Sequence, residues 1–122
     1  MVIFDTNMIL RYLLNDNEEM KNTAKRYLID DKVYVTIEVI AEVIYVLKGV
    51  YKMERSDIVS TLLNFLDLVH CGKKDVLRLS LQTYSSNNLD FVDCVLYAYN
   101  IIDNSAIATF DKKLLHLLKN KI

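Results

Sequence analysis

Proline is absent from this 122-residue chain, and glycine occurs only at Gly49 and Gly72. Without Gly/Pro/Ser-rich stretches, no linker, repeat or low-complexity segment divides it, and one compact, helix-rich domain spanning 1–122 is expected. So few glycines also exclude a Walker loop and a dinucleotide fingerprint, so any phosphate must be handled without a glycine cradle. Cysteine is limited to Cys71 and Cys94. Both sit in apolar stretches, too few for a disulfide framework, and read as small packing residues of a reducing compartment. No apolar run approaches the ~18–20 residues of a membrane span, and no cleavable signal pattern opens the chain. A cytoplasmic protein is expected. Basic charge is not in excess either: the net charge is −1 and the pI about 6.1, so a nucleic-acid role must rest on local cations.

Apolar residues are plentiful, at 52% of the chain, enough to bury a sizeable core. Their spacing predicts a strand in MVIF, a short helix over Met8–Leu14, and a helix with Met20, Ala24, Tyr27 and Leu28 at helical spacing. KVYV is a second strand. Thr36 caps the helix IEVIAEVIYVLKGVY, and Ser56 caps one with Ile58, Leu62, Phe65 and Leu66 inward. DLVHCG holds a third strand, Val76–Tyr84 a helix broken by SSNN, LDFVDCVLYAYNII an apolar helix, AIATF a last strand and DKKLLHLLKN a last helix. Strands that alternate with helices predict a mainly parallel sheet covered on both faces. Ligands of such sheets lie beyond the carboxyl ends of the strands. Asp5 stands at one such end, in FDTN, and Asp111 at another, after AIATF. A helix cap, by Asp5, Thr6 or Asn7, would by itself account for FDTN.

Two more acids interrupt apolar helices. Asp93 shares a helical stripe with Asp90, Tyr97 and Asn100. A capping box of Asp90 and Asp93 explains their spacing, but the continuation of the stripe to Asn100 favours a wet functional cleft. An unpaired buried carboxylate would protonate or find a cation. Glu42 falls with Glu38, Tyr45 and Gly49, which is also how an ordinary solvent face looks. Carboxylates with little else suit a hard cation, Mg²⁺ or Mn²⁺, able to polarise a phosphodiester and activate water. Zinc is disfavoured because Cys71, Cys94, His70 and His116 have no ligand spacing. His70 and His116 read as structural or exposed rather than as an acid/base pair, and there is no G-x-S-x-G elbow.

FDTNMILRYLLNDNEE, IAEVIYVLKGVY, LDFVDCVLYAY and ATFDKKL, in this order, resemble the PIN-domain family, and most closely its VapC-type toxin ribonucleases. The resemblance covers essentially the whole chain. It implies a three-layer α/β/α domain with a central, mainly parallel sheet of four or five strands, and an acidic pocket that binds Mg²⁺ or Mn²⁺ and cleaves RNA. It assigns the catalytic, metal-binding acids to Asp5, Glu42, Asp93 and Asp111, with Thr6, Asn7, Asp90 and Thr109 in supporting positions. It also lifts Glu42 above the solvent-face reading. A cognate antitoxin is implied as partner, and a homodimer is expected from self-association of a second apolar face. Ile9, Tyr12, Leu13, Tyr45 and Tyr51 are expected to offer an apolar groove to an antitoxin helix. Many relatives have a final strand where this sequence ends, so that sheet edge is expected to be short or missing. RNA contact would fall to local cations: Arg11, Lys48, Lys52, Lys73, Lys74, Lys112 and Lys113. A haloacid-type phosphatase would need an acid where Asn7 stands, and a receiver domain would need an acidic cluster where Asp5 is single. A non-catalytic PIN-like binding module or a housekeeping PIN nuclease remain the alternatives, and the retention of all four acids favours an enzyme.

Overall fold

The computed structural model describes residues 1–120. Its elements are β1 (Val2–Ile3), α1 (Thr6–Leu13), α2 (Glu18–Asp30), β2 (Val33–Tyr34), α3 (Ile37–Gly49), α4 (Arg55–Leu66), α5 (Lys74–Ser86), α6 (Phe91–Asp103) and α7 (Lys112–Lys119), with the helices in the expected order. Contacts divide them into two compact units, Met1–Gly72 and Lys73–Ile122.

The first unit holds the sheet. β1 and β2 run parallel, with Val2 opposite Val33 and Ile3 opposite Tyr34. Backbone amides of Val2 and Phe4 donate to the carbonyls of Lys32 and Tyr34 at 2.8 and 3.0 Å. The chain at His70 joins β2 through a parallel bridge to Tyr34, with Val35 donating to His70 at 2.9 Å and His70 to Val33 at 2.8 Å. Phe4, Val33 and Val35 on the sheet, Ile9 of α1, Ile40, Val43, Ile44 and Leu47 of α3, and Ile58, Leu62, Phe65 and Leu66 of α4 are buried. The i, i+3, i+4 spacing of these helical residues is what turns one face of each helix inward.

The second unit is helical among its described residues. α5 packs chiefly against α6, and α6 also touches α7. Leu77, Leu81, Tyr84, Phe91, Cys94, Ala98 and Leu114 form its core, and Tyr84 meets Phe91 edge to face at 6.0 Å. Ser80 and Thr83 are buried without cost because their hydroxyls donate to the carbonyls of Val76 and Leu79, one turn back, at 2.7 and 2.8 Å.

Three expectations need correction. The sheet has two strands and a bridge rather than four or five strands. DLVHCG contributes the bridge at His70, and AIATF forms no strand. A strand exists only when its backbone groups are paired. Among the described residues 106–110 make no ladder bond, and Phe110 is fully exposed. The fourth helix begins one residue before Ser56. Glu54 stands at its N-cap without a side-chain bond, following a turn in which Lys52 takes a left-handed φ of 57°. The place of a final strand, after 120, lies outside the described residues. No described helix is long and apolar enough to cross a membrane.

Candidate active site

The four acids stand at helix beginnings or on helix faces. Asp5 directly follows the first strand and is the N-cap of α1: its Oδ1 accepts the Met8 amide at 2.8 Å. Thr6 and Asn7 open the helix, Thr6 half-buried and Asn7 exposed. Glu42 lies in mid-α3, a helix that touches α1, and is exposed beside exposed Glu38, Tyr45 and Gly49. The solvent-facing edge read from the helical wheel is therefore what the first unit shows.

In the second unit, Asp111 is the N-cap of α7, its Oδ1 accepting the Leu114 amide at 2.9 Å. The Thr109 hydroxyl in turn accepts the Asp111 amide at 3.0 Å, so the short stretch before the helix holds its own aspartate. Asp111 thus follows a segment without ladder bonds among the described residues rather than a strand. Both caps use one carboxylate oxygen. The second oxygen of Asp5 and of Asp111 takes no hydrogen bond among the described residues.

Asp90 occupies the N-cap position of α6, but its carboxylate makes no cap bond. The capping box that would have explained Asp90 and Asp93 is therefore not formed. Phe91, Cys94, Val95 and Ala98 are buried on one side of α6, while Asp93, Tyr97 and Asn100 remain half-buried on the other. The stripe is real, although its far end has a local duty: the Asn100 amide donates to the Ser105 carbonyl at 2.9 Å, where Asn104 leaves the helix with a left-handed φ of 56°.

Asp93 carries the electrostatic signature of the second unit. Partial burial pushes its carboxyl above the usual range, and the charges of Asp111 and then Asp90 push it further. A cation would relieve the charges that oppose ionisation of Asp93. In neither unit do three described Asp, Glu, His or Cys side chains gather closely enough to ligate one ion by themselves. The donors available are carboxylate oxygens with free lone pairs, and Mg²⁺ is commonly held by one or two carboxylates with water completing its shell. The residues fit that ion type.

The histidines take no part in such chemistry. His70 stacks on Tyr34 at 5.1 Å, and His116 is tied to Asn120 on α7. Of the expected cations, Arg11 is held by Asp16 at 2.6 Å and by Tyr51, and Lys73 by Asp103 at 3.3 Å. Ile9, expected on an apolar groove, is completely buried; Tyr12 and Leu13 are half-buried, and Tyr45 and Tyr51 are exposed. A groove bordered by Asn88, Lys112, Lys113 and His116 was not foreseen as a unit, because its sides are far apart in sequence and carry no motif.

Residues 2–119 match the family described as PIN domain. A VapC ribonuclease of Aquifex aeolicus (strain VF5) is 32% identical over 103 residues, covering 78% of this chain and 75% of that protein. No solved structure matched.

Proposed function

Because the chain belongs to the PIN-domain family, we propose that it is a metal-dependent endoribonuclease and the toxin of a type II toxin–antitoxin pair, acting in the cytoplasm. Residues 1–122 are taken as one PIN domain. Asp5, Glu42, Asp93 and Asp111 are its catalytic, metal-binding acids, and Thr6, Asn7, Asp90 and Thr109 support them. The observation that carries this reading is Asp93, whose ionisation is opposed by burial, by Asp111 and by Asp90, and which lacks the capping role that would explain it away. Buried or crowded carboxylates of this kind concentrate at functional sites.

Bound Mg²⁺ or Mn²⁺ would supply Lewis-acid polarisation of a phosphoryl oxygen and lower the pKa of a water molecule. The chain's own residues provide the rest. Asp5 and Asp111 are fixed by their cap bonds, so each presents its second oxygen in one orientation. Thr109 restrains the backbone of Asp111. Asp93, with the raised pKa, is the acid best suited to accept a proton from an attacking water. The 2′-hydroxyl of RNA is not the nucleophile in this scheme, so products carry 5′-phosphate and 3′-hydroxyl ends.

Cleavage of single-stranded RNA by the purified chain, with Mg²⁺, with Mn²⁺ and with EDTA, tests the reading through end analysis. Cyclic-phosphate ends, or full activity in EDTA, would overturn it. For the toxin role, expression of the wild-type chain should arrest bacterial growth, and Asp5→Asn should not. Co-expression of the small protein encoded beside it should restore growth. Equal growth with folded, soluble wild type and Asp5→Asn would leave a housekeeping nuclease or a binding module. A cognate antitoxin helix would meet exposed Tyr45 and Tyr51, and a homodimer is the expected assembly.

A further inference from the structure

The charge of the chain is unevenly distributed. Residues 112–122 contain four lysines and no acid, so the rest carries −5, since −1 less +4 is −5. Two of these lysines border a groove of about 390 Å³ in the second unit, with Asn88 and Leu89 on one side and Lys112, Lys113, His116 and Leu117 on the other. Lys113 reaches across to the Asn88 carbonyl at 3.4 Å. Neither Lys112 nor Lys113 is in an ion pair among the described residues, unlike Arg11 and Lys73. Both sides lead directly to candidate acids: Leu89 precedes Asp90, and Lys112 follows Asp111. Asp90 and Asp111 are the two charges that act on Asp93.

We propose that this groove is the docking track for single-stranded RNA, with Lys112 and Lys113 on its phosphates and an unstacked base between His116 and the leucines. The inference rests on the ribonuclease reading. Phosphates need cations without carboxylate partners, which these lysines are. Apolar sides and an imidazole ring serve an unpaired base, whose faces are free, and are of no use to a stacked duplex. The volume suits a nucleotide rather than a helix of paired strands. An acidic protein segment would be drawn by the same lysines but would leave the ring and leucines unused.

The test measures binding of a short fluorescein-labelled oligouridylate by anisotropy, in EDTA and across a salt series, with cleavage in Mn²⁺ assayed separately. Loss of two phosphate contacts in Lys112→Ala/Lys113→Ala should flatten the slope of log K against log salt by about 1.4, and weaken binding about 25-fold at 0.1 M relative to the 1 M reference. Lys112→Arg/Lys113→Arg should restore both. Lys25→Ala/Arg26→Ala on α2 should change neither. An unchanged slope, no rescue by arginine, equal affinity for duplex RNA, or equal displacement by polyglutamate would each overturn the assignment. If the wild type cleaves RNA while the alanine variant binds it normally, only the groove fails. If the wild type neither binds nor cleaves, the ribonuclease reading fails with it.

Discussion

Asp5 can be a helix cap, a metal ligand, or both, and its two oxygens allow the roles to be separated. The cap uses Oδ1 and the Met8 amide at 2.8 Å. Asparagine caps as well as aspartate, because its side-chain oxygen accepts the same bond, whereas alanine at an N-cap costs about 1 kcal/mol. Loss of the exposed Asp5 charge near the positive end of a short helix costs about 0.5 kcal/mol. With an unfolding entropy of about 2.1 cal/mol/K per residue, roughly 0.26 kcal/mol/K here, Asp5→Ala should lower Tm by about 4 °C and Asp5→Asn by about 2 °C or less. Metal reverses this ranking of importance. At a hundred times its Kd, Mn²⁺ should stabilise the wild type by about 2.7 kcal/mol, or about 10 °C. Asp5→Asn should lose most of that rise and its RNA cleavage while keeping its fold. Melting curves with and without Mn²⁺, beside a cleavage assay, decide the matter. If Asp5→Asn cleaves RNA at the wild-type rate and keeps the full Mn²⁺ shift, Asp5 is a cap and the metal assignment is refuted.

Further outcomes follow from other residues. Because the folded-state pKa of Asp93 lies above its unfolded value, its ionisation destabilises the fold: the penalty is absent below the unfolded pKa, grows as pH rises towards the folded pKa, and persists above it. Without metal, Asp93→Asn should therefore gain stability relative to wild type between acidic and neutral pH, and a flat difference across melts in that range would refute the raised pKa. Thr109→Val should remove the bond to the Asp111 amide, cost about 0.5–1.5 kcal/mol in urea melts and reduce cleavage. Leu77→Ala, at a wholly buried position of α5, should cost about 2–5 kcal/mol through the cavity it leaves. Asp103→Ala, which releases Lys73 from an exposed pair, should change stability by no more than about 1 kcal/mol.

The sequence by itself determined the helices, their order and the inward face of α4, though not that of α2, where Ala24 is buried but Met20 and Tyr27 are exposed. Apolar spacing is a local property that survives into the fold, as the burial of Ile58, Leu62, Phe65 and Leu66 shows. It also narrowed the cap of α1 to Asp5, Thr6 or Asn7 and named Thr36 for α3, since a cap bond reaches only three residues along the chain. Asp93 was legible as a carboxylate interrupting an apolar run and Asp5 and Asp111 as acids at expected strand ends, whereas Glu42 stood out only through the family resemblance. Strand content was not legible: AIATF has a strand's composition, but a strand is made by a partner from anywhere in the chain, and 106–110 lack one among the described residues. Tertiary structure alone decided that Asp90 leaves its cap bond unmade while Asp93 feels Asp111, because charges far apart in sequence interact only once α6 and α7 have packed. It alone selected Lys112 and Lys113 over Arg11 and Lys73 as cations without a carboxylate partner. Whether a side chain's charge is neutralised depends on its neighbours in space, and composition carries no record of them.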